Sequence, residues 1–203
     1  MPVLFLWREG KTVDFRLLTE KETEKWYREE LCEAFAPQEC KPLLDIFSLI
    51  ANHRYELWGL FEGKKLLGYA ALWKAPGVPL VLLDYLGVTA RRRNSGLGAE
   101  ILRRLRTQGH LIVAESEEEV PGDREEANQI RRRRIAFYQR NGFAPAYRMA
   151  TCGMAWQALL SDSHSFPPED VMNWHRTLYG PDRKDVQIPL PPGAVPQMPY
   201  WME

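Results

Sequence analysis

A turn rich in arginine and glycine has the composition of an anion-binding site. The sequence RNSGLG (residues 93–98) follows an apolar run over 80–88 and precedes a helical pattern that begins near residue 99. Glycines let the backbone approach an anion closely, and the free N–H groups and dipole of a helix start attract negative charge. Arg91 and Arg92 add charge that can neutralise further phosphate groups. The candidate phosphate-binding residues are Arg93, Asn94, Ser95, Gly96, Leu97, Gly98 and Ala99.

The turn by itself does not establish a phosphate site. Two glycines after a strand also form an ordinary tight turn that binds nothing. A P-loop requires Gly-Lys-Ser/Thr, which does not follow here. A dinucleotide fingerprint requires a third glycine where this chain has Ile101, although Glu115 lies at roughly the spacing of the ribose-binding acid in such folds. A nicotinamide-dependent oxidoreductase therefore stays an alternative.

A second segment, RIAFYQRNGF (residues 134–143), decides between these interpretations. It predicts a helix that ends at Asn141-Gly142 and a strand that begins at Phe143. Together with the turn, it resembles the GNAT superfamily of N-acetyltransferases. Their signature is Arg/Gln-x-x-Gly-x-Gly/Ala after the fourth strand, followed by a helix that ends in Phe/Leu-Tyr before Gly-Phe. The resemblance covers residues 12–160 and implies a single α/β domain, with a mixed, mostly antiparallel sheet of about six or seven strands flanked by helices.

The resemblance also implies a reaction, in which an amine attacks the thioester of acetyl-CoA directly and takes its acetyl group. The turn would hold the pyrophosphate, and the pantetheine arm would pair with the splayed central strand at Leu86, Gly87 and Val88. Gly87 suits a close backbone approach or a bulge. Tyr138 matches the tyrosine that protonates the leaving thiolate as a general acid. The alternative for these side chains is an ordinary place in the core.

The general base has two candidates. An alkyl ammonium has a pKa of about 10.4 and must lose a proton before it attacks. Asp84 interrupts an apolar strand, where an unpaired carboxylate is costly unless it is useful. Side-chain alternation predicts that it shares a face with Leu82, Leu86 and Val88. Glu115, at the end of the next strand, is the second candidate, and pairing with arginine is the alternative for both.

One position departs from the family pattern. An asparagine that contacts the cofactor usually lies two turns before the tyrosine, and Arg131 stands there in this chain, within a run of four arginines. Asn128 lies nearly one turn earlier and is expected to substitute in part. We therefore retain Arg131 and Asn128 as cofactor-binding candidates. Most of the arginine run is expected to be solvated or paired with the acidic residues 117–119.

The periodicity of the chain predicts alternating strands and helices. Strands are expected over 12–18, 55–61, 65–73, 79–88, 111–115, 146–151 and 154–160. Helices are expected over 19–35, 41–52, 99–106 and 125–139, and an acidic loop over 116–124. Thr19 is the expected cap of the first helix.

Residues 161–203 lie beyond the acetyltransferase-like domain, which is expected to span 1–160. Pro167-Pro168-Glu169-Asp170 predicts a helix start, with the helix running to Tyr179. The five prolines within 188–200 favour an extended polyproline conformation over the surface. We expect this segment to pack on the same domain. The alternative is that it shapes the acceptor pocket or reaches a second subunit.

Composition limits the function classes. The 203 residues are 45% hydrophobic, and Lys plus Arg equals Asp plus Glu at 27, which argues against a general nucleic-acid or membrane-surface binder. Cys32, Cys40 and Cys152 have no metal-ligand spacing and suit a reducing compartment. The apolar start over 1–7 is too short for a signal peptide, and no apolar run reaches membrane-spanning length. These features favour a cytoplasmic protein.

The sequence thus predicts an N-acetyltransferase that uses acetyl-CoA as co-substrate and no metal. Its acceptor would be a small-molecule or peptide amine, and it would act as a monomer or homodimer. A module that binds an acyl-CoA without catalysis is the other alternative.

Overall fold

In the residues that the computed structural model describes (13–35, 40–162 and 165–198), seven strands form one open sheet. The strand order is β1-β2-β3-β4-β5-β7-β6, and every neighbouring pair is antiparallel except β4 and β5. The strands are β1 (Val13–Leu17), β2 (Tyr55–Glu62), β3 (Lys65–Trp73), β4 (Leu80–Val88), β5 (Leu111–Glu117), β6 (Ala144–Thr151) and β7 (Met154–Leu160). The mixed, mostly antiparallel sheet predicted from the sequence is confirmed.

Helices cover both faces of this sheet. They are α1 (Glu20–Trp26), α2 (Cys32–Ala34), α3 (Leu43–Ala51), α4 (Leu97–Arg106), α5 (Glu125–Arg140) and α6 (Pro168–Tyr179). A π-helical turn, Tyr27–Leu31, joins α1 to α2, so that the first predicted helix is continuous but locally widened. Thr19 caps α1, as the sequence predicts, and the structure shows that it does so in a reciprocal capping box with Glu22.

Three apolar clusters show which helices share a face. Strand residues such as Val81 and Leu83 pack with α4 and α5. Their neighbours Leu80 and Leu82 pack with α6, and residues of β2 and β3 pack with α1 and α3. Trp73 contacts both the cluster under α6 and the cluster under α1 and α3, so these two clusters lie on the same face of the sheet. We therefore distinguish an α4–α5 face from an α1–α3–α6 face.

The sheet opens between its two parallel strands. Strands β4 and β5 pair only from Leu80↔Leu111 to Leu83↔Ala114, and beyond this point the rest of β4 pairs with β3 alone. We call the space between the second half of β4 and the end of β5 the splay. It leaves one edge of the β4 backbone without a strand partner among the described residues.

A bulge lies at the apex of the splay. The β3–β4 register passes from Leu72↔Leu83 to Ala71↔Tyr85, which leaves Asp84 without a partner on β3. The extra residue reverses the alternation of side chains. Leu86 and Val88 consequently pack on the α4–α5 face, whereas Leu82 packs against α6. The prediction that Asp84 shares a face with Leu86 and Val88 was therefore wrong.

The observed boundaries differ from the predicted ones by a few residues. The largest functional consequence is at β5, which continues through Ser116 and Glu117, so the loop predicted from residue 116 starts later. The predicted strand start at Thr12 and the end of the proline-rich segment at Tyr200 lie outside the described residues. Within the described ranges, no helix is long and apolar enough to cross a membrane.

Candidate active site

The glycine turn (residues 93–99) ends in an uncapped helix start. Asn94 and Gly96 adopt left-handed backbone conformations, with φ values of 60° and 81°. Helix α4 begins at Leu97, two residues earlier than predicted, and no side chain caps it. The Glu100 N–H donates to Gly96 O, so the amides of the three residues before Glu100 precede the first helical hydrogen bond. Those N–H groups can bind an anion.

The three arginines around the glycine turn differ in their exposure and in their contacts with carboxylates. Arg91 and Arg93 have exposed side chains. The Arg92 guanidinium lies 3.8 Å from the Glu62 carboxylate. Arg93 and Arg91 are therefore the better placed of the three arginines to meet a phosphate at the turn.

Two glycines near the splay have packing neighbours of their own. A Cβ atom at Gly98 would lie 3.2 Å from Phe137 Cζ, so this glycine lets α4 approach α5 closely. A Cβ atom at Gly87 would lie 2.2 Å from Tyr69 Cζ. The ring of Tyr69 thus packs closely on the Gly87 backbone, and the bulge lies at Asp84 instead. Contact of Gly87 with a cofactor stays a prediction.

Ser116 faces the splay and was missed by sequence reasoning, which assigned it to a loop. It follows Ile112 and Ala114 on the α4–α5 face of β5. Its side chain is buried, and its hydroxyl has no hydrogen-bond partner among the described residues. A buried hydroxyl without a partner is costly in a folded protein. A ligand amide in the splay would satisfy it.

Tyr138 lies on the same face as the glycine turn. Its ring packs between Phe137 and Phe143, with centroid distances of 5.4 and 5.6 Å. Burial raises the pKa of its hydroxyl to about 12, although nearby Arg134 acts in the opposite direction. The phenol is consequently protonated at neutral pH and can donate a proton.

Asp84 is paired, and its partner is not one of the arginines that the sequence offered. Lys41 Nζ donates to both of its carboxylate oxygens at 2.7 and 2.8 Å. The Tyr55 hydroxyl donates to Oδ2 at 2.5 Å. Burial and the Asp84 charge raise the pKa of Tyr55 well above its usual value, so this hydroxyl stays a donor.

Glu115 belongs to a second polar network, and its partners come from α6 and β6. The Tyr179 hydroxyl donates to Oε1 at 2.7 Å and lies 2.8 Å from Oε2. His175 Nε2 lies 2.9 Å from Glu115 Oε1, although the geometry is not that of a hydrogen bond. The other ring nitrogen, Nδ1, lies 2.9 Å from the Tyr147 hydroxyl. Sequence reasoning missed His175 and Tyr179 because nothing in their spacing relates them to β5.

The two carboxylates lie close enough to influence one group. Burial, then Glu115, and then Asp84 raise the pKa of Tyr179 well above its usual value. Strand pairing ends at Leu83↔Ala114, directly before both acids. Asp84 and Glu115 therefore stand on either side of the apex of the splay, on the α1–α3–α6 face and opposite Tyr138.

The two remaining cofactor candidates are engaged within the protein. The Asn128 side chain exchanges two hydrogen bonds with the backbone of Val120, at 2.9 and 3.0 Å. Arg131 contacts Glu117 and Asp123 at 3.0 and 2.7 Å. Both residues hold the connection from β5 to α5, and their role toward a cofactor stays a prediction. The predicted pairing of the arginine run with residues 117–119 is confirmed by Arg131, Arg132 and Arg134.

Several solved structures share this fold. An acetyltransferase of the GNAT family from Bacteroides thetaiotaomicron aligns over 83% of this chain and 99% of its own length, with 21% identity and a TM-score of 0.62. A variant of spermidine N-acetyltransferase from Vibrio cholerae aligns over 73% and 92%, with 10% identity and a TM-score of 0.54. An acetyltransferase from Bacillus subtilis in complex with CoA aligns over 73% and 97%, with 13% identity and a TM-score of 0.50.

At these identities the structural likeness establishes the fold alone. A comparison with curated proteins gives no match.

The sequence comparison is more specific. The profile of the acetyltransferase (GNAT) family matches residues 20–143, which run from the start of α1 through the glycine turn and Tyr138 to Phe143. The mostly antiparallel sheet also differs from the parallel sheet of dinucleotide-binding folds, so the described residues do not form the fold that the oxidoreductase alternative requires. This chain belongs to the acetyltransferase (GNAT) family.

Proposed function

We propose that this protein is an N-acetyltransferase that moves the acetyl group of acetyl-CoA to an amine. One observation carries the proposal: a buried tyrosine lies on one face of the sheet, and two carboxylates flank the apex of the splay on the other face. Tyr138 lies on the α4–α5 face, and Asp84 and Glu115 flank the apex on the opposite face. Acetyl-CoA on one side and the acceptor amine on the other could therefore meet in the opening.

The residues of the glycine turn and the splay suit coenzyme A. The N–H groups at the start of α4, with Arg93 beside them, would hold the pyrophosphate. The unpaired edge of β4 at Leu86–Val88 would bind the amides of the pantetheine arm, as a further strand would. The unpartnered Ser116 hydroxyl would complete this contact from β5. Acetyl-CoA supplies an activated acyl group as a thioester.

Glu115 is our candidate base for an external acceptor. Its carboxylate is held by Tyr179 and neighbours His175, whereas Asp84 already binds the Lys41 ammonium. Glu115 would accept a proton from the acceptor ammonium, directly or through one water molecule. The neutral amine can then form a C–N bond with the acetyl carbon while the C–S bond breaks. Tyr138 would give its proton to the departing thiolate, and the nitrogen would lose its second proton to water as the amide forms.

The charge at the apex favours an amine over a neutral alcohol as acceptor. Two carboxylates attract a cation, and Lys41 compensates only one of them. The spermidine N-acetyltransferase from Vibrio cholerae has the same fold and, by its name, acts on a polyamine. That protein gives a precedent within this fold for transfer to nitrogen and does not identify the acceptor here.

The experiment has a binding step and a turnover step. Acetyl-CoA at about a hundred times its dissociation constant should stabilise the folded protein by about 2.7 kcal/mol, measured as a rise in Tm, whereas NAD should give no rise. A panel of primary amines is then screened for release of free CoA thiol. Absence of a Tm shift with millimolar acetyl-CoA would contradict the whole proposal. A shift without thiol release for any amine would favour the non-catalytic binding module.

A further inference from the structure

Lys41 brings an amine of the protein itself to the apex of the splay. It lies just before α3, and its backbone N–H donates to the Tyr85 hydroxyl at 3.1 Å. Its Nζ is held 2.7 Å from Asp84 Oδ1 and 2.8 Å from Oδ2. Lys41 is therefore fixed both at its backbone and at its ammonium group, which lies beside a carboxylate that can accept its proton.

Asp84 is the bulge residue at which the unpaired edge of β4 begins. The segment Leu86–Val88 follows it toward the glycine turn, so a pantetheine arm running along this edge from the turn would end near Asp84. The thioester at the end of the arm would then lie close to Lys41 Nζ. In this position the ammonium stands where the acceptor amine of the proposed reaction must stand.

The surroundings of Lys41 hold its ammonium in place and leave it accessible. Its Nζ lies 4.6 Å from the ring centroid of Trp73 and 5.4 Å from that of Tyr85. The side chain keeps 24% of its surface exposed, so it is not sealed within the core. Holding two reacting groups in place removes the entropic cost of their encounter, which can accelerate a reaction by several orders of magnitude.

We propose that Lys41 is an internal acetyl acceptor, and that the protein acetylates its own Lys41 when acetyl-CoA is bound. The inference rests on the proposed function, because it uses the same acetyl-CoA bound in the same splay. Asp84 accepts one proton from Nζ, and the neutral amine forms a C–N bond with the acetyl carbon. The C–S bond breaks with its electron pair moving to sulfur, and Tyr138 protonates the thiolate. The nitrogen loses its second proton to water as the amide forms, and exchange with water returns Tyr138 to the phenol and Asp84 to the carboxylate. The products are Nε-acetyl-Lys41 and free CoA.

Acetylation would change the charge of the site. The amide no longer carries a positive charge, so Asp84 would lose its cationic partner and keep only the hydrogen bond from Tyr55. The apex would then present two carboxylates without a compensating lysine. A cationic external acceptor would bind more favourably to the modified protein than to the unmodified one.

Lys74 offers a matched internal control. Its Nζ contacts Glu56 at 2.6 Å, and its side chain is 28% exposed, close to the 24% of Lys41. It follows the end of β3 and does not contact Asp84. Non-enzymatic acetylation by free acetyl-CoA should therefore affect Lys74 at least as much as Lys41.

The test incubates the full chain with acetyl-CoA and no added amine, and follows acetylation by peptide mass mapping. We expect Lys41 to be acetylated at least tenfold faster than Lys74, with a rate constant that does not depend on protein concentration. Asp84→Asn should slow the labelling of Lys41 about 100-fold, because the proton acceptor is lost. Lys41→Arg should remove the fast phase while Lys74 reacts as before.

Comparison of Lys41 with Lys74 in the unmodified sequence needs no variant, so the test survives if Asp84→Asn fails to fold. Labelling of Lys41 no faster than that of Lys74, or at a rate proportional to protein concentration, would overturn the inference. The same sample is assayed for acetyl-CoA binding and for turnover of external amines. If both are present and Lys41 stays unlabelled, only this inference fails. If acetyl-CoA does not bind, the proposed function fails with it.

Discussion

Single residues on opposite sides of the splay carry the proposed proton transfers, and burial sets their chemistry. The Tyr138 phenol is held in its protonated form by surroundings that raise its pKa to about 12. On the face opposite Tyr138, Lys41 Nζ lies 2.7 Å from Asp84 Oδ1, and the two side chains are only 24% and 12% exposed.

At Tyr138 we predict that replacement by Phe lowers kcat about 100-fold and leaves the dissociation constant for acetyl-CoA nearly unchanged. The ring still packs between Phe137 and Phe143, whereas the proton donor is lost. Steady-state kinetics with an acceptor from the screen, together with thermal shift, measures both quantities. Tyr27→Phe, on the π-helical turn, is the matched control. Full turnover in Tyr138→Phe, with chemistry limiting the rate, would mean that water protonates the thiolate.

At Glu115 we predict that replacement by Gln lowers kcat/KM about 100-fold at neutral pH. The deficit should shrink as pH rises toward the pKa of an alkyl amine, about 10.4, because the acceptor then arrives already neutral. Rate–pH profiles of the two proteins test this. Glu118→Gln serves as control, since Glu118 pairs with Arg148 outside the splay. A deficit that stays constant with pH would assign Glu115 a structural role instead.

Elements of secondary structure decide where these residues meet. The short pairing of β4 with β5 creates the splay, the bulge at Asp84 turns its side chain toward Lys41, and the uncapped start of α4 leaves N–H groups available. Each of these features departs from ideal secondary structure, and each lies at the proposed site.

For the glycine turn we predict that Gly96→Val abolishes acetyl-CoA binding, because a branched side chain at φ 81° forces the turn away from its anion-binding shape. Gly109→Val is the control for backbone strain alone, because Gly109 has the same φ and an open environment. Both variants should lose similar stability, and only Gly96→Val should lose the Tm rise with acetyl-CoA. Normal binding by Gly96→Val would show that the turn does not hold the pyrophosphate.

On the scale of the whole molecule, the segment after β7 is tied to the family region at several points. Helix α6 covers the far face of β4 and supplies His175 and Tyr179 to Glu115. The chain then returns to β6, where Gln187 forms a bridge with Ala150. Asp185 accepts hydrogen bonds from the Cys152 N–H and the Arg183 guanidinium, at 3.0 and 2.8 Å.

At Asp185 we predict that replacement by Asn destabilises the protein by about 2 kcal/mol at neutral pH, because a buried charge-assisted network loses its anion. Hydrogen bonding to Arg183 lowers the pKa of Asp185 to about 2. A carboxyl whose pKa is lower in the folded than in the unfolded state stabilises the fold above pH of about 4, and this contribution is lost as pH falls toward 2.

The difference in unfolding free energy between the two proteins should therefore shrink between pH of about 4 and 2, as measured by urea denaturation. Asp182→Asn, at an exposed neighbouring position, is the control. An equal difference at all pH values would contradict the assignment of this stability to the Asp185 charge.

The local sequence was sufficient to predict the features that depend on neighbouring residues. The glycine turn, the end of α5 at Asn141-Gly142 and the strand β7 follow from turn chemistry and side-chain periodicity, which act over a few residues. Tyr138 was likewise selected because it lies within a contiguous signature, and its catalytic role stays a prediction. From these features the sequence alone was sufficient to predict the family and to suggest the proposed reaction.

Other features were decided only by the tertiary structure. The bulge at Asp84 depends on how β3 pairs with β4, and a one-residue change of register reverses every following side chain. Lys41 meets Asp84, and His175 meets Glu115, across separations in the chain that no local pattern encodes. The sequence therefore determined which chemical groups are present. Long-range pairing and packing determined which of them meet, because contact energies between distant residues exist only in the folded chain.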